Sequence, residues 1–252
     1  MEGKNGGKGS PPIIEGDMDV GRTANKFARY FHAICAPNSV ERATELHAEF
    51  LSRKQEYVKE DSVSPYLLTV EKVDLAIRGL GLGKSAGADC LSPEHVRYAH
   101  PVLVSILTKL YNCMIVFGYV PDAFGRGVIV PILKANKPAS KIESYRGISL
   151  NTVFSKVFED CLLKTLSTYL TTSPLQFGFK ARTGCCKAIY TVRRVVEHFS
   201  NQGSTVNLCT IDLEKAFDRL NTNALFIKLM DRRCPFFLLD FLSVGTLKLK
   251  RW

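Results

Sequence analysis

Three residues in this sequence stand where chemistry could be done: Asp212, Arg146 and Lys134. Asp212 closes the run Thr205-Val-Asn-Leu-Cys-Thr-Ile-Asp, in which β-branched and apolar side chains fill both faces. That pattern predicts a buried central strand. From Glu214 the composition turns to helix and turn formers, so Asp212 is expected at the carboxyl end of the strand, where α/β sheets open toward ligands. A carboxylate there is a metal ligand or base candidate; the plainer alternative is an N-cap or the partner of a nearby Lys or Arg. Upstream, Gly127 to Lys134 reads as a strand with Pro131 inside, hence at a sheet edge or bulge. A polar turn, 135–143, leads to a second strand, Ser144 to Leu150. The expected hairpin carries Lys134 and Arg146 on adjoining strands. Such cations are most often solvated, yet a guanidinium is a planar fork that can hold two phosphate oxygens.

The elements that must position these groups belong to a chain of 252 residues, 46% hydrophobic and 23% charged, enough for one large core or two small ones. Thirty-four Lys and Arg against 24 Asp and Glu leave a net charge of +10. A surplus of that size suits a polyanion, because each phosphate neutralised releases counterions. Its placement says more: from Arg126 to Arg194 twelve bases face only Glu143, Glu159 and Asp160, so +9 of the surplus lies just ahead of Asp212. That favours a phosphate-facing region over a diffuse basic surface.

Several chemistries are excluded by spacing. The eight cysteines are scattered without a Cys-x-x-Cys pair and read as reduced intracellular thiols, several of them core residues. His32 and Cys35 offer zinc only half a tetrahedral site, and no nucleophilic triad is readable. Gly79-Leu-Gly-Leu-Gly-Lys-Ser85 invites a phosphate-loop reading, but that loop needs glycine where Arg78 stands, and a dinucleotide fingerprint needs it where Lys84 stands. The apolar run from Pro101 to Val120 is interrupted by Ser105, Thr108, Lys109 and Asn112, so a buried helix is expected rather than a membrane span. With no signal peptide or transmembrane segment read, an intracellular protein of cytoplasm or nucleus is expected.

Periodicity supplies the remaining framework. Residues 1–19 read as a Gly/Lys-rich linker. Helices are expected over 22–34; from Ser39 to about Lys59, a charged and peripheral one; from Thr69 to Gly79; and from Ser92-Pro-Glu onward. From Asn151 apolar residues recur at steps of three and four to Leu170, an amphipathic core helix. A further helix runs to about Ser200, and two follow Asn221.

Taken in order, these stretches resemble the reverse transcriptases of LINE-type (non-LTR) retrotransposons. Ile211-Asp-Leu-Glu-Lys-Ala-Phe-Asp218 is similar to their motif A. By that resemblance Asp212 is a catalytic, metal-binding aspartate, Phe217 packs under the incoming sugar and excludes a 2′-hydroxyl, and Asp218 serves structure. Pro131-Ile-Leu-Lys134 and Tyr145-Arg-Gly-Ile-Ser-Leu150 resemble the family's signature in which the arginine, and more loosely the lysine, grips the triphosphate. Gly147 departs from it, since the family usually has proline there. Lys84, Gly87, Asp89 and Glu94 match a Lys-x-x-Gly-x-Asp-x-x-x-x-Glu approach to the fingers. Gln176-Phe-Gly-Phe-Lys180 and Arg182 resemble a turn close to the template, which makes Gln176, Lys180 and Arg182 nucleic-acid-binding candidates. The aromatics of that turn could stack on bases, but filling the core is the favoured reading. Cys185 and Cys186 stand where the family commonly has Gly, Ser or Thr.

The resemblance implies an α/β (α+β) fold, helix-rich with a small sheet. It divides the chain into a linker (1–19), a helical extension and start of fingers (20–125), fingers (126–204) and a partial palm (205–252). It implies an RNA template, a DNA primer, dNTPs and Mg2+. Two-metal polymerisation needs further carboxylates, which the family draws from a Tyr-x-Asp-Asp hairpin downstream. The sequence contains no Asp-Asp pair. The expectation is therefore a truncated polymerase with little or no activity alone. The alternatives are a non-catalytic RNA- or DNA-binding remnant and a helical scaffold whose charge is incidental.

Overall fold

The computed structural model describes residues 13–60, 66–180, 182–213 and 215–249. In order, the elements are α1 (Val20–Ile34), α2 (Val40–Glu60), α3 (Val70–Arg78), α4 (Pro93–Arg97), α5 (Val102–Val116) and α6 (Asp122–Gly125). The strands β1 (Val128–Leu133) and β2 (Tyr145–Leu150) follow, then α7 (Val153–Leu166), α8 (Cys185–Asn201), α9 (Thr222–Asp231) and α10 (Phe236–Leu249). Helix starts are set by local chemistry: the side chains of Asp19, Thr69, Thr152 and Asn221 accept from backbone N–H groups of the first turns of α1, α3, α7 and α9.

One apolar core joins the two ends of the chain. Val73 of α3, Tyr111 of α5, Val157 and Phe158 of α7, Phe226 of α9 and Leu238 of α10 all lie in it. Tyr111 is fully buried, with its ring 4.8 Å from that of Phe158 and its hydroxyl donating to the Phe154 carbonyl at 2.9 Å. Burial pushes its phenol well above the usual range. Among the described residues no helix is long and apolar enough to cross a membrane. Within the run 101–120, Val102–Val116 forms α5, whose Leu107, Thr108, Tyr111, Met114 and Ile115 face the core.

The charged helix expected at the periphery is more firmly docked than its composition suggests. Phe50 is buried against Phe226, ring centroids 5.4 Å apart, and Arg53 and Lys54 pair with Asp231 and Asp240 at 2.7 and 2.6 Å. The end of the expected linker is docked as well. Residues 1–12 lie outside the described residues, but Ile14 is fully buried with Phe27, Ile142 and Tyr145 in a second, small core. Glu15 N–H donates to the Ser140 carbonyl at 3.0 Å, and Lys26 reaches both Glu15 and Asp17. One isoleucine and a turn suffice to dock the segment, which its overall polarity concealed.

The sheet among the described residues is the antiparallel pair β1 and β2, registered Val128 to Leu150 through Leu133 to Tyr145. The buried central strand expected over 205–213 is not found: this stretch carries no strand pairing, and Leu208, Ile211 and Leu213 are 64, 86 and 74% exposed. A strand with two apolar faces needs neighbours on both edges and both faces. Among the described residues no third strand offers that pairing.

Candidate functional site

Register places the two cations of the hairpin. Lys134 N–H donates to the Ser144 carbonyl at 2.8 Å, which makes 134 and 144 a hydrogen-bonded pair. Hydrogen-bonded pairs alternate along an antiparallel ladder, so Ile132↔Arg146 is the next one and Pro131↔Gly147 falls between. Pro131 therefore removes no ladder bond, and Lys134 and Arg146 share one face. The Lys134 ammonium donates to the Glu143 carbonyl at 2.9 Å across the end of the hairpin. Arg146 is exposed, and its guanidinium has no hydrogen-bonding or ionic partner among the described residues.

The opposite face of the hairpin is covered by α1. Phe27 meets Tyr145 edge to face with centroids 5.0 Å apart. Phe31 lies over Gly147, where a Cβ would stand 3.1 Å from both Phe31 Cε1 and Ile129 Cγ2. This explains the missing proline: its ring would need the space that Phe31 fills.

Asp212 lies exposed in the segment 204–213, which forms no helix or strand, and the chain then turns over 215–219. Phe217, 75% exposed, meets Phe179 edge to face at 5.4 Å. Phe179 is itself 91% exposed, so the core expected for the aromatics of 176–180 is not where this ring lies. Lys215 Nζ stands 5.3 Å over the Tyr30 ring, and Arg219 donates to Asn38 Oδ1 at 2.8 Å. Partial burial, and then the charges of Glu143 and Asp218, hold the Tyr30 phenol above its ordinary range. Glu214 lies outside the described residues.

The template-side candidates fold back on their own turn. Gln176 Nε2 donates to the Gly178 carbonyl at 3.3 Å and Lys180 Nζ to the Ser173 carbonyl at 2.9 Å, while the Arg182 carbonyl accepts from Lys187 Nζ at 2.7 Å. Phe179 and Arg182 both adopt positive φ, +57° and +61°, an uncommon conformation that sharpens the turn.

The stretch from Lys84 to Glu94 also has a geometric reason. A Cβ on Gly87 would stand 2.7 Å from the Asn151 carbonyl oxygen, so glycine permits the loop to press against the exit of β2. Asp89 accepts from Leu91 N–H at 3.2 Å, and Glu94 accepts from Gly83 N–H.

The donor set does not complete a magnesium site. No group of three or more His, Cys, Asp or Glu that could hold a metal ion comes together among the described residues. Sequence reasoning placed the hairpin and its cations but missed the role of α1. Its aromatic spacing signalled an apolar face, without saying what that face would cover.

Residues 132–249 match the family described as Reverse transcriptase (RNA-dependent DNA polymerase). The chain is 28% identical over 158 residues to the RNA-directed DNA polymerase from mobile element jockey of Drosophila melanogaster, covering 61% of this chain and 17% of that protein. It is 27% identical over 165 residues to the probable RNA-directed DNA polymerase from transposon BS of the same species, covering 64% of this chain and 18% of that protein. It is 28% identical over 144 residues to the probable RNA-directed DNA polymerase from transposon X-element, covering 54% of this chain and 16% of that protein. The aligned region thus spans under a fifth of each of these relatives.

Proposed function

We propose that this chain, whose residues 132–249 match the reverse transcriptase family, carries part of a LINE-type, non-LTR retrotransposon reverse transcriptase domain and supplies the nucleotide- and template-facing portion of an RNA-directed DNA polymerase. Arg146, with Lys134 beside it on the same face, receives the triphosphate of an incoming dNTP. Phe217 lies against its sugar. Asp212 contributes one carboxylate toward catalytic magnesium, and Gln176, Lys180 and Arg182 lie along the template. The fingers comprise 126–204 and the first part of the palm begins at 205. The observation that carries this reading is the hairpin, which holds on an exposed face a guanidinium without a hydrogen-bonding or ionic partner among the described residues, while α1 covers the other face.

A single carboxylate cannot hold two ions about 3.5–4 Å apart. The 252-residue chain is therefore proposed to bind primed RNA and dNTP without extending the primer by itself. The test is primer extension with magnesium beside filter binding of the same primed template. Retention at low salt that falls steeply with salt, without extension, supports the reading. Extension abolished by Asp212→Ala would show that further carboxylates are supplied, and flat or absent binding would leave only a scaffold.

A further inference from the structure

We infer that α1 is a strut that fixes the Phe217 turn relative to the Arg146 hairpin, with Phe31, Tyr30 and Asn38 as its positioning residues. This rests on the proposed reading of Arg146 and Phe217 as nucleotide-facing groups. The two segments lie far apart in sequence, so chain connectivity alone does not hold them in register. The chain between them is a poor spacer: α8 buries none of its residues, and 204–213 forms no helix or strand and is exposed except for half-buried Val206.

The strut instead touches both. Toward the hairpin, Phe27 packs on Tyr145 and Phe31 occupies the space that a side chain at Gly147 would need. Toward the turn, the Tyr30 ring lies under Lys215, and Asn38, just past the helix, accepts from Arg219. Tyr30 feels the charges of Glu143 from the hairpin turn and Asp218 from the second turn. Helix geometry makes the spacer stiff: Phe27 and Phe31 are one turn apart on a single face, and Tyr30 sits beside them.

Hydrogen exchange on the full chain tests the strut, comparing wild type with Asn38→Ala and Asn38→Asp. Asn38→Ala should accelerate exchange of peptides spanning 215–220 by roughly tenfold, the effect of losing one charge-assisted hydrogen bond. Asn38→Asp retains an acceptor and should restore protection, and β1, β2, α5 and α7 should not change. Unaltered exchange at 215–220, or acceleration spread equally through α5 and α7, overturns the proposal.

Photolabelling with two probes, a dUTP carrying an azidoanilide on its γ-phosphate for the triphosphate end and 5-azido-dUTP for the nucleoside end, separates this from the nucleotide reading. Wild type should label both the Arg146 and Phe217 peptides, and Asn38→Ala should lose the second selectively. A wild type that labels neither overturns the nucleotide reading, while exchange still decides whether α1 holds the turn.

Discussion

Phe179 and Phe217 meet edge to face, with ring centroids 5.4 Å apart and planes at 79°, although solvent reaches most of each ring. The contact joins the tight turn after α7 to the turn that follows Asp212. It gives the two exposed segments a common anchor outside the core.

That pairing should register as coupling. In a double-mutant cycle of Phe179→Ala and Phe217→Ala, urea unfolding should give an interaction energy of about 0.5 kcal/mol, the low end for aromatic pairs because both rings stay wet. Strict additivity of the two variants would show that the rings do not meet in solution.

Gly147 should resist even a methyl group. In Gly147→Ala the Phe31 ring and Ile129 must yield by a few tenths of an ångström, and overpacking of this kind costs about 1–3 kcal/mol. The cost should fall when Phe31→Ala is the background, since one of the two groups that oppose the new Cβ is gone while Ile129 remains. Denaturant midpoints of the four proteins check this, and an equal penalty in both backgrounds contradicts the packing account.

Thiol reactivity should divide the cysteines. Cys161 and Cys234 are buried, and burial pushes the Cys161 thiol up to about 11, so little thiolate forms near neutrality. Cys35, Cys90, Cys113, Cys185, Cys186 and Cys209 are exposed. Mass-resolved labelling with iodoacetamide should modify the exposed set first and reach the buried pair only on unfolding. Early labelling of Cys161 would place α7 differently.

Glu94 should make stability depend on acid. Its carboxyl is held below the ordinary value by the Gly83 N–H, then by its own N–H and the Ser92 hydroxyl. A depressed carboxylate contributes stability above its unfolded pKa and loses it as pH falls through the folded value. Wild type should thus melt higher than Glu94→Gln at neutral pH, with the gap closing below the ordinary glutamate value of 4.5. A gap that persists at the lowest pH would assign the difference to packing instead.

Much of this molecule was legible in the sequence because its causes are local. Thr69 and Asn221 announce helix starts through their own side chains, three-and-four spacing marks α7, and polar residues between two apolar runs mark the hairpin with Lys134 and Arg146. The motif string 211–218 identified the relatives for the same reason, since residue order alone carries it. What the sequence by itself could not decide depends on partners distant along the chain. Apolar residues on both faces of 205–213 express a capacity for burial, but strand burial requires neighbours, and there the tertiary structure leaves the segment exposed. Likewise nothing near Gly147 foretells Phe31, and nothing near Asn38 foretells Arg219. Those contacts exist only once the folded core has brought α1, the hairpin and the 215–219 turn together.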